Sequence, residues 1–301
     1  MKVIVSVPGT SANLGPGYDV FGLALTIGNT FTVEDSGQFA IFIKNDKEDL
    51  PKTKENLFYQ AFIFLFNKLQ KKIPTVKITM DLNLPQGGGL GSSATAVVGG
   101  MLAANSFLGE KYTRDELLPY IIEMERGQNP DNVTPALFGG MVVMTSDKGK
   151  LVYIPLRFPK KIKAILYTPN FAMDTAMTRK LMPTTYSKED VVFSTGRVGL
   201  FLAALQTKKY ELFRLAMQDI IHQPTRTKIF PQMPKLIAAA NESGALGAAL
   251  SGGGSSIIAF ADKNSKKIAE VLEKTGQMYG LQGRVVILTA NNTGARVRVY
   301  D

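Results

Sequence analysis

Cysteine is absent from the 301-residue sequence, and histidine occurs only once, at His222. Without cysteine the chain can form neither disulfide bonds nor thiolate metal sites, and a reducing interior is the simplest environment for it. His222 also has no second histidine or cysteine with which to share a metal ion. We therefore expect it to make a structural contact rather than to transfer protons.

Long apolar runs are missing as well. Residues 3–7 alternate in a way that predicts a short strand, and no apolar core of a signal peptide follows the N-terminus. No stretch has the length of apolar sequence that spanning a bilayer requires. The sequence therefore predicts a soluble, cytoplasmic protein without a membrane partner.

Acidic residues are fewer than basic ones. The sequence has 25 aspartates and glutamates and 35 lysines and arginines, which gives a net charge of +10. A basic surface attracts nucleic acids or anionic small molecules. The basic residues are spread along the chain, without a zinc-finger spacing, an RNP-type aromatic motif or a basic heptad. We therefore expect small anionic ligands and no nucleic-acid partner, with an RNA-binding protein as the alternative from another class.

Glycine, in contrast, is concentrated in residues 85–94. The preceding residues 76–82 alternate and predict a strand, and the small apolar residues 94–104 predict a buried helix. Glycines leave backbone amides unobstructed, and the first turn of a helix offers unpaired N–H groups and a dipole that favours an anion. This order predicts a phosphate-binding loop, with a tight structural turn as the alternative. A Walker A lysine is absent, and Ser92 replaces the last glycine of the dinucleotide motif.

Three other segments combine glycine or proline with polar residues. Residues 7–19 hold two prolines and three glycines and predict a structured loop that carries Asn13 and Asp19. Residues 128–140 and 244–256 are similar in composition. Turn formation is the ordinary function of such residues, so composition alone assigns them no chemistry.

Taken together, these segments resemble the ordered motifs of the GHMP kinases. Residues 85–94 match Pro-x-x-x-Gly-Leu-Gly-Ser-Ser-Ala, and residues 10–19 match the first motif of the homoserine kinases in that family, with Tyr18 for the usual phenylalanine. Residues 129–140 are similar to a homoserine kinase signature whose first residue, histidine, is asparagine here. Residues 251–256 resemble the third motif, with serine for its proline. The resemblance spans nearly the whole chain.

The resemblance implies an α+β fold of two domains, with the nucleotide bound between them. Residues 1–157 are expected to form an N-terminal, ATP-binding GHMP kinase domain similar to domain 2 of ribosomal protein S5. Residues 158–301 are expected to form a ferredoxin-like C-terminal domain. Relatives are commonly homodimers, so a homodimer is expected here. Within the second half, periodicity predicts helices at 188–206, 210–221 and 265–275.

By this resemblance, ATP and Mg²⁺ are bound around the glycine stretch. Ser93 and Glu125 are the expected Mg²⁺ ligands, with Glu123 as an alternative to Glu125 and a solvated helix end as the ordinary place of either glutamate. Asn56 is expected to approach the adenine, although capping a helix start is its ordinary function. The expected ATP-binding residues are Asn56, Pro85, Gly87, Gly88, Gly89, Leu90, Gly91, Ser92, Ser93 and Ala94.

The same resemblance implies an amino-acid acceptor, homoserine. Asn132 is expected to orient its hydroxyl, and Asp131 matches the residue that acts as the base in some GHMP kinases. Asn129 keeps a hydrogen-bond donor and acceptor but cannot carry a positive charge. Arginine forks match a carboxylate. The expected substrate-binding residues are Asn13, Asp19, Asn129, Arg197 and Arg226.

The implied reaction is the ATP-dependent phosphorylation of the L-homoserine hydroxyl to O-phospho-L-homoserine, a step of threonine biosynthesis. One alternative is a GHMP kinase that acts on another small alcohol. A second is a non-catalytic, nucleotide-binding member of the family. The intact serines and glycines of residues 85–94 favour a working kinase.

Overall fold

The computed structural model describes residues 1–44, 46, 49–85, 87–125 and 130–300, without the side chains of residues 175 and 176. Within these residues the strands form two sheets, one of seven strands and one of four. The strands are β1 (Lys2–Asn13), β2 (Gly17–Asp35), β3 (Ala40–Lys44), β4 (Val76–Asp81), β5 (Met141–Asp147), β6 (Lys150–Leu156), β7 (Lys163–Pro169), β8 (Gly247–Leu250), β9 (Ile257–Ala261), β10 (Gly283–Leu288) and β11 (Arg296–Tyr300). The helices are α1 (Leu57–Lys68), α2 (Ser92–Phe107), α3 (Arg114–Met124), α4 (Pro130–Phe138), α5 (Thr175–Lys180), α6 (Lys188–Thr207), α7 (Phe213–Ala216), α8 (Gln223–Arg226), α9 (Met233–Glu242) and α10 (Ser265–Met278).

The larger sheet has the strand order β11-β1-β2-β4-β3, and β5 pairs with another part of β2 and carries β6. The alternation predicted for residues 76–82 is present, because Val76, Ile78 and Met80 are buried while Lys77 is exposed. These side chains share one core with those of β1, β2 and helices α1 to α4. The long β1–β2 hairpin therefore connects this core to residues 7–19, which carry Asn13 and Asp19.

Helix starts follow local sequence signals in this half of the chain. Thr113 caps α3 and forms a capping box with Glu116, which fixes the start of that helix. Helix α2 is buried along most of its length, as its small residues predict. Among the described residues, no helix combines the length and the apolar character that crossing a membrane requires.

The four-stranded sheet has the order β10-β7-β9-β8, and all its neighbouring strands are antiparallel. Helices α5 to α9 lie between β7 and β8 in sequence, and α10 connects β9 to β10. This alternation of strands and helices is the ferredoxin-like arrangement. The predicted α+β fold class with a ferredoxin-like second domain is therefore confirmed.

The last strand does not follow the expected division of the chain into residues 1–157 and 158–301. Strand β11 is antiparallel to β1, with Val299 opposite Val3, and so belongs to the larger sheet. Its physical basis is the backbone of β1, whose outer edge needs hydrogen-bond partners that β11 supplies. A single cut after residue 157 therefore does not separate the two sheets.

Two local predictions also need correction. Residues 7–19 were expected to form a loop but are mostly strand. Strand β1 extends to Asn13 and β2 begins at Gly17, so only the turn at Leu14–Pro16 is loop. The helix predicted at 210–221 is limited to the 3-10 turn Tyr210–Leu212 and α7. The carboxylate of Asp219 accepts backbone hydrogen bonds from residues 221, 222 and 223, and so replaces helical bonding there.

Candidate active site

A cavity of about 370 Å³ lies where the ends of β1, β4 and α1 meet the glycine stretch, α4, α5 and α8. Most sequence-predicted residues reach it. The predicted residues that line it are Asn13, Asn56, Pro85, Gly87, Gly88, Gly89, Leu90, Gly91, Ser92, Ser93, Asp131, Asn132 and Arg226. Ala94 instead packs into the core behind the first turn of α2.

The glycine stretch is held by its carbonyl groups. Each carbonyl oxygen from Gly87 to Leu90 accepts a hydrogen bond from a different position elsewhere in the chain. In chain order, the donors are Met173 N (3.1 Å), Ser256 N (3.1 Å), Ser251 Oγ (2.7 Å) and Thr10 N (3.0 Å). Because these carbonyls point into the protein, the opposite side of the loop presents its amide groups.

Backbone angles confirm this presentation. Gly87, Gly89 and Gly91 have φ angles of 63°, 70° and 65°, whereas the residues between them have negative φ. Alternating left- and right-handed residues of this kind form an anion-binding concavity of N–H groups. Gly91 also precedes α2, whose N-terminus has no side-chain cap. The loop can therefore bind phosphate groups at the positive end of a helix.

Asn56 lines the cavity together with the apolar side chains of Phe31, Met80 and Leu82. Its Oδ1 accepts a 3.0 Å hydrogen bond from Phe58 N, which caps α1. Its Nδ2 donates to Pro51 O at 2.7 Å. Capping is thus a definite function of Asn56, and a contact with adenine stays a prediction.

One end of the cavity carries an ion pair between Asp19 and Arg179. The guanidinium donates to both carboxylate oxygens, at 2.7 and 2.9 Å. Asn13 fixes the backbone there, because its Oδ1 accepts from Asp19 N at 3.1 Å and its Nδ2 donates to Gly252 O at 3.0 Å. Asn13 is therefore a link between the β1–β2 turn and the third glycine-rich segment.

Arg226 lies beside this ion pair and is 1% exposed. Its Nε and Nη1 make no hydrogen bond within the described residues. Burial lowers its pKa, although a guanidinium keeps its proton at neutral pH. A buried cation with unpaired N–H groups is costly on its own, so this position favours an anionic ligand.

Arg197 is not brought to the cavity. Its Nη2 donates to Gln218 Oε1 at 3.0 Å, and its guanidinium lies 4.3 Å from the centroid of the Phe193 ring. The second arginine of the cavity is Arg179 on α5, which no sequence motif indicated. Its partner Asp19 was predicted, but the pair is separated by 160 residues, so no local spacing could reveal it.

Asp131 and Asn132 begin α4 beside these charges. Thr10 Oγ1 donates to Asn132 Oδ1 at 2.8 Å, and Asn132 Nδ2 donates to Asp131 Oδ1 at 3.1 Å. Burial, followed by the nearby Asp19 carboxylate, raises the pKa of Asp131 to about 7. The side chains available for proton and hydroxyl chemistry are therefore one oriented amide and one carboxyl that titrates near neutrality.

The predicted metal ligands are not equally placed. Ser93 is on the first turn of α2 and lines the cavity. Glu125 ends α3 and is not among the lining residues. Glu123 forms an ion pair with Lys68 at 2.6 Å, so the structure does not favour it as the alternative ligand. Asn129 lies outside the described residues.

His222 makes the structural contact expected of it. Its Nε2 lies 2.8 Å from Gly15 O, and its ring is 5.5 Å from the ring of Tyr18. The side chain is fully buried, close to the end of the cavity that carries Asp19 and Arg179. His222 thus supports the β1–β2 turn that carries Asp19.

Comparisons with known proteins agree with this fold and cavity. A family model described as the GHMP kinases N terminal domain matches residues 56–140, and one described as GHMP kinases C terminal matches residues 201–277. The chain is thus a two-domain GHMP kinase in fold.

Individual relatives show which kind of GHMP kinase the chain is similar to. A homoserine kinase of Microchaete diplosiphon is 39% identical, over 98% of this chain and 96% of its own. One of Persephonella marina is 35% identical over the full length of both chains. The crystal structure of a homoserine kinase from Cytophaga hutchinsonii has a TM-score of 0.88 and 30% identity, covering 99% of this chain and 97% of its own. The chain therefore belongs to the homoserine kinases of the GHMP kinase family.

Proposed function

We propose that this protein transfers the γ-phosphoryl group of ATP to the hydroxyl of L-homoserine and forms O-phospho-L-homoserine, a step of threonine biosynthesis. The observation that carries the proposal is the acceptor end of the cavity. There the buried Arg226, with unpaired N–H groups, lies beside the Asp19–Arg179 ion pair. A zwitterionic amino acid has the charges that complement this set.

The nucleotide fits the end of the cavity that the glycine stretch forms. Its phosphates would accept hydrogen bonds from the amides of residues 87–93, of which residues 87–90 have their carbonyls bonded to other segments. The base would lie toward Phe31 and Met80, near Asn56. This orientation directs the terminal phosphate toward Asn132, at the boundary between the two ends of the cavity.

Homoserine fits the other end by exchanging partners with the existing ion pair. Its carboxylate would take N–H groups of Arg226 and Arg179, and its ammonium group would take the carboxylate of Asp19. Arginine pairs with a carboxylate in a bidentate fork, so the new contact of Arg179 replaces one of equal kind, and that of Arg226 uses N–H groups that have no partner among the described residues. The proposal assigns the carboxylate to Arg179 and Arg226, and not to Arg197.

Phosphoryl transfer then needs mainly alignment and charge neutralisation. The homoserine hydroxyl oxygen bonds to the γ-phosphorus while the bond to the bridging oxygen of ADP breaks, and the hydroxyl proton passes to a phosphate oxygen. Asn132 would orient the hydroxyl through its amide. Asp131, with its pKa near neutrality, is the alternative proton acceptor.

A Mg²⁺ ion, when bound, supplies positive charge to the β- and γ-phosphates. Mg²⁺ keeps several waters and binds one or two protein oxygens. The Ser93 hydroxyl, at the start of α2, can be one of these ligands. We assign Glu125 as the second ligand from the resemblance alone. Ser93→Ala should lower turnover strongly at every Mg²⁺ concentration, whereas the exposed Ser146→Ala should not.

The test measures ADP release with three acceptors. L-Homoserine should be the best, 3-aminopropan-1-ol lacks the carboxylate, and 4-hydroxybutyrate lacks the ammonium group. Arg226→Gln should reduce kcat/KM for homoserine by roughly 30-fold or more, because the acceptor carboxylate loses a buried charge-assisted contact. It should leave KM for ATP unchanged.

An acceptor without a carboxylate that is used as well as homoserine, by both the parent and Arg226→Gln, would favour the other candidate. That candidate is a GHMP kinase for another small alcohol. The expected homodimer is a separate proposal, for which the exposed Val191 and Val192 on α6 offer an apolar surface. Sedimentation equilibrium measures it directly.

A further inference from the structure

Tyr18 lies between the two arginines at the acceptor end of the cavity. The guanidinium carbons of Arg179 and Arg226 are each 5.5 Å from the centroid of its ring. Its hydroxyl oxygen accepts a 3.1 Å hydrogen bond from Arg179 Nη1. Burial raises the pKa of Tyr18, and the nearby Arg179 and Arg226 cations oppose that rise. One phenol therefore contacts both cations.

This arrangement addresses an electrostatic problem. Burial and, to a smaller extent, the nearby Arg179 cation lower the pKa of Arg226, and Asp19 pairs with Arg179. Like charges in a poorly solvated site repel each other and lose hydration. The negative face of an aromatic ring attracts both cations, and the phenol oxygen has two lone pairs for their N–H groups.

The phenol keeps its own proton for another partner. An oxygen that accepts from the Arg179 guanidinium still has its O–H bond, which neither arginine can accept because arginine has no acceptor atom. Burial, followed by the charge of Asp19, raises the pKa of Tyr18, so the hydroxyl stays protonated. The cavity that Tyr18 lines is where this O–H group can point.

We propose that Tyr18 is a positioning residue that sets the preference of this kinase for acceptors with a carboxylate. Its ring holds the Arg179 and Arg226 forks together, its oxygen accepts from Arg179, and its O–H group adds a donor to the same anion. The inference rests on the proposed function, because it concerns the acceptor of that reaction. The position matters for this chain in particular, since the resembling motif has phenylalanine, which keeps the ring and lacks the hydroxyl.

The experiment compares Tyr18→Phe with the parent on two ligands. For L-homoserine, KM should rise about tenfold while kcat changes less than twofold, as expected for the loss of one charge-assisted hydrogen bond. For 3-aminopropan-1-ol, the inhibition constant against homoserine should not change, because that ligand has no carboxylate. The KM for ATP should also be unchanged.

Two controls separate positioning from folding. Tyr300→Phe removes a phenol hydroxyl from an exposed residue of β11 and should match the parent. Tyr18→Leu removes the ring as well and should weaken homoserine binding beyond Tyr18→Phe. The thermal unfolding midpoint of Tyr18→Phe should stay close to that of the parent.

A homoserine KM within twofold of the parent, or an equal weakening of 3-aminopropan-1-ol, would overturn the inference. Failure of the proposed function is a different result, in which the parent itself does not phosphorylate homoserine. In that case calorimetric binding of 4-hydroxybutyrate to the parent and to Tyr18→Phe decides the question. Equal affinities would reject a carboxylate-positioning function for Tyr18.

Discussion

Thr10 Oγ1 donates a 2.8 Å hydrogen bond to Asn132 Oδ1, which joins β1 to the start of α4. Because Oδ1 accepts from Thr10, the amide nitrogen of Asn132 faces Asp131, at 3.1 Å. The backbone N–H of Thr10 donates at the same time to Leu90 O, at 3.0 Å. One residue thus sets the Asn132 amide and the glycine stretch relative to each other.

Thr10→Val should lower kcat by about tenfold, since the amide that orients the acceptor hydroxyl loses the hydrogen bond that fixes it. Thr10→Ser should retain most of the activity. The KM for ATP should be unchanged in both, because the backbone contact with Leu90 persists. Steady-state kinetics with the exposed Thr145→Val as control measures this, and a full kcat for Thr10→Val would contradict it.

Gly89→Ala should disrupt both folding and nucleotide binding. Gly89 has a φ of +70°, and a Cβ at this position would lie 2.1 Å from Ser251 O. The atoms in contact belong to the backbone of Ser251 and Gly254, which cannot move without strain. The free energy of unfolding should therefore fall by about 2–4 kcal/mol. Gly37→Ala is the matched control, because a Cβ there meets nothing within 4 Å. Denaturant unfolding and ATP calorimetry provide the two measurements.

The buried carboxyl of Asp131 should make stability depend on pH. Its folded-state pKa of about 7 lies above the unfolded value, so its contribution is fully present below about pH 4 and is lost as the pH rises through 7. Relative to Asp131→Asn, the parent should lose up to roughly 4 kcal/mol of unfolding free energy between pH 4 and pH 8. Asp262→Asn, an exposed change, should show no such difference. Parallel profiles for the parent and Asp131→Asn would show that this carboxyl is ionised throughout.

His222 should be neutral in the folded protein. Burial, together with the Arg226 cation, lowers its pKa, although the nearby Asp219 carboxylate opposes this shift. A depressed pKa means that the imidazole contributes stability above about pH 6.5 and loses it as the pH falls. The chain has one histidine, so its NMR signal is assigned without variants. A titration midpoint at or above about 6.5 would contradict burial as the dominant influence.

The sequence predicted the features of this site that depend on neighbouring residues. The alternating residues 76–82, the glycines and the small residues of α2 act over a few positions, and all have the predicted structure. Asn13 and Arg226 were indicated by resemblance and do line the cavity, and Asp19, indicated in the same way, pairs with the lining residue Arg179. Their contacts, in contrast, join segments that are far apart in the chain.

Features that depend on tertiary packing were not predictable in this way. Arg197 was indicated by resemblance to the family. Helix α6 packs into the core through Phe201, Ala204 and Leu205, and Arg197 contacts Gln218 instead of the cavity. Arg179 is in a short helix without a recognised motif, and only the fold brings it to Asp19. Sequence periodicity could not decide which arginine faces the cavity, because it does not show how a helix packs on a distant strand.

The pairing of β11 with β1 also has a consequence for synthesis of the protein. During translation, β1 emerges early, and its partner β11 follows much later, because Val299, which pairs with Val3, is far along the sequence. Until then one edge of the larger sheet is open, and open strand edges are the sites at which nascent chains associate wrongly. We therefore expect release of residues 296–300 from the ribosome to be the event after which this sheet resists aggregation.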